Sequence, residues 1–205
     1  MAKVVVSRSS IAPRLFLAAA MLGPAAAQAD IRQAVETRTY AVSGRSGAEL
    51  LNAMDRSGPR HGFLTRAIAQ TKYKVSWSFD VVAENGRCHV RDADAVLSVT
   101  YVYPALTGKP SPALERRWRK FMAGVRKHEE THARLAREMV VAAQKEVKGL
   151  SVPEDWRCMT ARREIKARVE RIDATYEARQ LAYDAREHAD GGKVDRLVRA
   201  LVVGP

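Results

Sequence analysis

The stretch YKVSWSFDVVAENGRCHVRDADAVLSVTYVYP, residues 73–104, carries the clearest β pattern in the chain. Every second residue of its first part is apolar: Tyr73, Val75, Trp77, Phe79 and Val81. Polar residues stand between them, so an extended strand would have one apolar and one polar face. Asn85-Gly86 is a strong signal for a tight turn, and the returning strand ends at Pro104. The stretch predicts a long β-hairpin with one core-facing side.

Upstream of the hairpin, the pattern predicts one strand and one short helix. ETRTYAVSG, residues 36–44, is typical of a strand that ends at Gly44. SGAELLNAMDRSG, residues 46–58, has Ser46 as a helix N-cap and Gly58 as a stop signal. We therefore expect a strand and a short helix before the hairpin.

Downstream of the hairpin, Ser111 as N-cap and Pro112 at the first helical position begin a helix that meets no strong stop until Gly149. Such a helix has about 37 residues and is about 55 Å long. Its apolar residues recur in steps of four and three: Leu114, Trp118, Phe121, Val125, Leu135 and Met139. His128 and His132 fill the two missing positions of this apolar seam, so both imidazoles are expected to face the core.

A second long helix is predicted from Met159 to about His188, after the connection SVPEDWRC. Its inner face is marked by Ile165, Val169, Ile172, Tyr176 and Tyr183. The expected fold class is α+β, with a small antiparallel sheet and a long β-hairpin packed against a hairpin of two long helices. Residues 191–205 form a C-terminal tail, in which KVDRLVRALVV is either a short helix or loose chain.

The first 29 residues have the pattern of a signal peptide. A basic front with Lys3, Arg8 and Arg14 precedes the apolar run LFLAAAMLGPAAA, and AQA at 27–29 fits a cleavage site. The alternative is an uncleaved membrane anchor, but the apolar run is short for a bilayer span. We expect an exported protein, either periplasmic or secreted, whose main domain covers residues 30–190.

Cys88 and Cys158 are the chain's two cysteines, and both lie in the part expected to be exported. An isolated pair in an oxidising compartment typically forms a disulfide. The competing use, as thiolate metal ligands, lacks the CxxC spacing that is common in such sites.

The net charge of the whole chain is +12. Residues 1–29 contain three cations and no acids, so the remaining chain carries +9. In an exported protein this charge favours contact with anionic cell-envelope polymers, and no nucleic acid partner is expected. A solvated basic surface without a partner is the alternative.

The segment HEETH, residues 128–132, has the chemistry of a zinc site. Helix positions i and i+4 point within about 40° of each other, so two imidazoles can bind one ion at about 2.0–2.1 Å. His128 and His132 are the predicted ligands of Zn²⁺. Glu129 is the predicted general base, acting on a metal-activated water that attacks a peptide bond.

The alternative is a pair of core histidines without metal, bonded to acids of the second helix such as Asp173 or Glu177. A buried imidazole with no partner at all costs about 1–3 kcal/mol, so one of the two arrangements is expected.

Residue spacing alone does not decide which residue is the third metal ligand. The candidates are His61, His89, His188 and the acids of the second helix. A straight antiparallel helix pair joined near residue 154 brings Glu177 closest to residue 130, and this geometry favours Glu177.

Five segments, read in order, resemble a bacterial family of predicted secreted zinc-dependent proteases, a domain-of-unknown-function family. They are YAVSGRSGAELLNAM (40–54), YKVSWSF (73–79), GRCHVRDADAVLSVTYVYP (86–104), WRKFMAGVRKHEETH (118–132) and AYDAREH (182–188). The resemblance covers roughly residues 37–188 and implies a zincin-like metallopeptidase domain. It also implies His188 as third ligand, with Tyr183 and Asp184 close to the site. The family ending is Tyr-Asp-x-x-Thr-x-His-Gly, whereas this chain lacks the threonine and has its histidine one residue early.

The leading hypothesis is an exported zinc metallopeptidase that acts on a peptide or protein substrate. A non-catalytic envelope protein is the alternative. It would bind metal in a closed site or dock on an anionic polymer.

Overall fold

A computed structural model describes residues 31–61 and 65–203, except for the side chains of residues 61 and 65. The predicted signal peptide lies outside the described residues. The helices and strands follow one another along the chain in this order: β1 Arg32–Val42, α1 Gly47–Ser57, β2 Arg60–His61, β3 Thr65–Arg66, β4 Gln70–Glu84, β5 Arg87–Leu106, α2 Pro112–Val147, β6 Ser151–Pro153, a 3₁₀ turn Trp156–Cys158, α3 Met159–His188 and α4 Lys193–Val202. Among the described helices, none combines the length and hydropathy needed to cross a bilayer.

The α+β class and the long hairpin are confirmed. β4 and β5 pair antiparallel from Glu84 and Arg87 at the turn to Gln70 and Val102 at the far end. Asn85 and Gly86 adopt positive φ angles of 53° and 72°, as the tight turn requires. Beyond the turn, β5 continues past Pro104 to Leu106.

The sheet is mixed, which corrects the expectation of an antiparallel sheet. Its strand order is β1-β5-β4, and β1 runs parallel to β5 from Arg32 opposite Val96 to Val42 opposite Leu106. The short strand β6 pairs antiparallel with the other end of β5. Alternation of apolar and polar residues predicts that β1 is a strand, but it carries no information on the direction of its partner.

Both predicted long helices are confirmed. α2 starts at Pro112, and the Ser111 side chain accepts a hydrogen bond from the Leu114 amide as N-cap. All six apolar residues of the seam are buried, and so is His128. α2 lies on the sheet, and its second half packs with β5 and with Ile172 and Tyr176 of α3.

The predicted disulfide is confirmed. The sulfur atoms of Cys88 and Cys158 are 2.02 Å apart, and the two Cα atoms are 5.6 Å apart. The bond joins the start of β5 to the turn that begins α3, and both cysteines are buried. It therefore ties the first turn of α3 to the sheet.

The C-terminal segment, for which the sequence allowed two states, forms α4 and packs into the core. Leu201 is fully buried. Its backbone runs so close to α1 that a Cβ atom added to Gly47 would lie 2.0 Å from the Leu201 carbonyl oxygen. Leu197 packs over Gly124 of α2 in a similar way. α4 covers the first half of α2 and leaves the second half to α3.

Candidate metal centre

Two histidines of α2 and one aspartate of α3 meet between the helices. His128 Nε2 lies 3.2 Å from His132 Nε2, and Asp184 Oδ1 lies 3.2 Å from the former and 2.8 Å from the latter. The i, i+4 spacing on α2 brings the two imidazoles to the same face, as the sequence predicted. Both side chains are shielded from solvent, with exposed fractions of 7% for His128 and 14% for His132.

His188 joins the same group one turn further along α3. His128, Asp184 and His188 each offer one donor atom, and the three atoms lie within 4.8 Å of one another. The rings of His128 and His188 are 5.3 Å apart. Asp184 and His188 are themselves an i, i+4 pair, so each helix contributes two side chains from one face. His128, Asp184 and His188 form a group that could hold a metal ion, and His132 adjoins it through its contacts with His128 Nε2 and Asp184 Oδ1.

Gln180 fixes the orientation of His132. Gln180 Oε1 lies 2.5 Å from His132 Nδ1, and Gln180 Nε2 donates to the His132 carbonyl oxygen at 3.1 Å. An amide oxygen only accepts, so Nδ1 must carry a proton. In the neutral imidazole, Nε2 then presents its lone pair to the group.

The arrangement requires a cation among these atoms. The lone pair of His132 Nε2 faces the lone pairs of the Asp184 carboxylate at 2.8 Å, and atoms with facing lone pairs repel one another. A proton shared by His132 and Asp184 relieves this repulsion, as does a metal ion. The donor types fit a metal ion. Ligands about 2.1 Å from a tetrahedral ion are about 3.4 Å apart, close to the two 3.2 Å separations, whereas the 2.8 Å between His132 Nε2 and Asp184 Oδ1 is a hydrogen-bond length.

The three ionisable partners shift each other's pKa values. Burial alone would raise the pKa of Asp184, but hydrogen bonds from the two α2 histidines outweigh burial and lower it well below its usual range. Burial would lower the pKa of His132, but the hydrogen bond to Asp184 raises it. The pKa of His188 is lowered by burial and by the nearby charge of His128.

Glu129 points to the sheet and lies next to the group. Its side chain is buried, and the Thr71 hydroxyl donates to Glu129 Oε2 at 2.7 Å from strand β4. Burial raises the pKa of the Glu129 carboxyl, against the opposing effects of Thr71 and the two histidines. A carboxylate with a raised pKa accepts a proton more readily near neutral pH, which is the property of a general base.

Tyr183 forms one wall of the group. Its ring stacks on His128 with 5.0 Å between ring centroids and meets His132 edge-on at 5.2 Å. Burial raises the pKa of its hydroxyl. The resemblance implied Tyr183 and Asp184 as neighbours of the site, and the structure brings both to it, with Asp184 among the potential donors.

The structure does not bring the remaining candidates to the group. Glu177, favoured by a straight helix pair, is exposed and lies outside it. His89 lies near the hairpin turn, 3.7 Å from Glu84. The His61 side chain is not described.

The register of α3 on α2 explains why Glu177 lies outside the group. The helices do not join by a tight loop, because β6 pairs with β5 and the disulfide fixes the next turn. His132 consequently faces Gln180 and Asp184, one turn further along α3 than a straight pair predicts.

Sequence reasoning did not identify Gln180 or Thr71 as site residues, and it included Asp184 only among the acids of the second helix, without singling it out as a donor. The sequence carried one usable signal for α3. Gln180, Asp184 and His188 recur every four residues, and this spacing aligns three polar side chains on one helix face. Thr71 had no comparable signal, since its role depends on how the sheet packs on α2.

A family model described as "Bacterial protein of unknown function (DUF922)" matches residues 37–192. This match covers most of the chain and spans every residue of the group. The chain belongs to this family. No curated protein and no solved structure matches the chain significantly.

Proposed function

We propose that this member of the family is a zinc-dependent peptidase whose centre lies between α2 and α3. The observation that carries the proposal is the convergence of His128 Nε2, His132 Nε2 and Asp184 Oδ1, with the buried Glu129 carboxylate beside them. A proton alone would satisfy His132 and Asp184. It would give no account of His188 next to them, or of a second carboxylate buried at the same place.

His128, His132 and His188 would hold the ion. Asp184 is a fourth potential donor, and its binding decides whether the site is open or closed. When bound, zinc supplies Lewis acidity, which polarises a carbonyl group and acidifies water.

The protein's own part of the reaction is proton transfer and positioning. Glu129 Oε2 is held by Thr71, so the carboxylate keeps one orientation while it takes a proton from the attacking water and delivers it to the leaving amine. Gln180 keeps His132 in the tautomer that frees Nε2. Tyr183 covers the imidazoles and excludes water from that side.

The test compares two neighbouring glutamates. Glu129→Gln removes the base, and Glu130→Gln changes an exposed residue one position further. We expect Glu129→Gln to lower hydrolysis of an unstructured protein substrate by at least about 100-fold, with zinc content unchanged, and Glu130→Gln to have little effect. Equal hydrolysis by wild type and Glu129→Gln would rule out the proposed mechanism.

A second candidate is a closed, non-catalytic metal site. The position of Asp184 supports it, because catalytic zinc sites keep one position free of protein ligands, whereas structural sites use four. Under the peptidase proposal, Asp184→Asn retains one zinc per chain. Under the closed-site candidate, the wild type binds metal without hydrolysing any substrate, and Asp184→Asn loses metal affinity by 10-fold or more.

Export is part of the proposal. A buried disulfide is consistent with an oxidising compartment, and the pattern of residues 1–29 is that of a signal peptide. Periplasmic delivery or secretion is tested by finding whether the N-terminus of the purified natural protein begins near Asp30. Contact with anionic envelope polymers is tested by retention on such a polymer that falls as salt is raised.

A further inference from the structure

A cavity lies between α4 and the first half of α2, and the proposed function does not use it. Its volume is about 520 Å³. Pockets that bind small molecules typically have volumes of about 300–1,000 Å³. The cavity lies among residues 113–121 of α2, at least seven residues before His128, so it is separate from the metal group.

The cavity has two kinds of wall. Leu197 and Ala200 of α4 and Val203 directly after it form an apolar floor that is still partly or fully exposed to solvent. Arg116, Arg117 and Lys120 also line the cavity and supply three cations from five consecutive residues of α2, little more than one turn. A ligand in this cavity would therefore contact an apolar surface and a positive charge cluster together.

Within the described part of the chain, these three cations have no carboxylate within 4.0 Å. Their neighbour Arg119 is paired with Glu115 at 2.9 Å, and Arg117 donates only a weak bond to the Val202 carbonyl oxygen at 3.4 Å. The three cations stand within five residues of one helix and line one cavity, so their charges repel one another, and an anion bound among them would reduce that repulsion.

We propose that the cavity binds a single-chain anionic amphiphile, of which a fatty acid is the simplest. The apolar floor takes the chain, since covering it removes apolar surface from water. The cations take the head group through charge-assisted hydrogen bonds. A hydrophilic polyanion would leave the apolar floor unused, and a neutral apolar ligand would leave the cation repulsion in place.

The experiment is calorimetric titration of the purified full chain with decanoate below its micelle concentration. Butyrate supplies the head group without the chain, and 1-decanol supplies the chain without the charge. We expect decanoate to bind at one site per chain, at least tenfold more tightly than either control. Binding of butyrate or 1-decanol as tight as that of decanoate overturns the proposal. Attachment to phosphatidylglycerol vesicles without binding of monomeric decanoate also overturns it.

Two variants locate the site. Arg116→Gln, Arg117→Gln and Lys120→Gln combined should weaken decanoate at least tenfold. The matched control combines Lys74→Gln, Lys145→Gln and Lys148→Gln, which remove three exposed cations elsewhere, and it should leave decanoate binding unchanged. Equal weakening by both sets overturns the proposal, because it shows a general charge effect.

Ala200→Phe places a large side chain in the cavity and should also abolish binding, whereas Ala167→Phe on the exposed side of α3 should not. Thermal unfolding of each variant shows which remain folded. If the triple variant unfolds, Ala200→Phe still tests the proposal. The proposal is overturned if folded Ala200→Phe binds decanoate as tightly as wild type does. His128→Ala should leave decanoate binding intact, so failure here and failure of the peptidase proposal are distinguishable.

Discussion

The two long helices that carry the candidate metal ligands differ sharply in how much of each is buried. α2 has 15 buried residues among 36, and they run along its whole length. α3 has two among 30, Ala161 and Ile165, both near its start. α2 is therefore a core helix, whereas the second half of α3 lies on the surface.

The candidate metal site is therefore held unequally: its α2 residues belong to a buried helix, and its α3 residues to an exposed one. His128, Glu129 and His132 are fixed by the packing of α2 on the sheet. Asp184 and His188 lie at the far end of α3, where the contacts to α2 are mainly polar: Gln180 to His132 and Asp184 to both histidines. The residues that would bind metal are thus also the residues that fasten this end of α3.

Removing the disulfide should have the largest effect on stability. It closes a loop of 70 residues and is the covalent anchor of α3. The variant Cys88→Ser with Cys158→Ser is expected to lose about 4 kcal/mol of unfolding free energy in urea, because its unfolded chain gains conformational entropy. A loss below about 1 kcal/mol would show that packing alone holds the start of α3.

Truncating a core side chain of α2 should lower the unfolding free energy severalfold more than truncating one of α3. Met139 of α2 and Ile172 of α3 contact the same apolar cluster, but Met139 is 3% exposed and Ile172 only partly buried. We expect Met139→Ala to cost about 3 kcal/mol and Ile172→Ala about 1 kcal/mol, since a cavity forms only where the site is enclosed. Equal losses in urea titrations would contradict the contrast between the helices.

The sequence predicted the parts of this fold that are determined locally. Alternation and Asn85-Gly86 predicted the hairpin, and Ser111-Pro112 predicted the start of α2. The seam predicted that His128 faces inward. Each of these depends on residues within a few turns or one strand of each other.

The parts that depend on long-range packing were not predictable. The parallel pairing of β1 with β5 joins residues 64 apart, at Arg32 and Val96, and no local pattern encodes it. The register of α3 on α2 follows from β6 and the disulfide, and it decides that Asp184 rather than Glu177 faces the histidines. A site that spans two helices is thus only half visible in the sequence.

Metal removal should increase local unfolding at the end of α3 and leave α2 nearly unchanged. Zinc that binds only the folded protein stabilises it by about 2.7 kcal/mol at a free concentration 100-fold above Kd. We expect a chelator to speed hydrogen exchange in residues 176–188, with little change in residues 114–125. An equal change of exchange rate in both segments, or no change in either, would contradict the claim that the metal ligands hold this end of α3.

Gln180→Leu should weaken metal binding moderately, by about 10- to 100-fold, because it removes the acceptor that fixes the His132 tautomer. Glu177→Leu on the same helix is the control and should have no effect, as Glu177 is exposed and outside the group. Competition with a chromophoric chelator measures both affinities. A larger loss for Glu177→Leu would restore Glu177 as the third ligand.

The most direct test is the zinc content of gently purified wild type and His128→Ala, by elemental analysis before and after chelation and reloading. Two inward-facing imidazoles and a carboxylate around one point predict one zinc per wild-type chain, its return on reloading, and less than a tenth of that in His128→Ala. A folded wild-type protein that contains no transition metal and takes none up would show that a proton, and not a metal, balances Asp184.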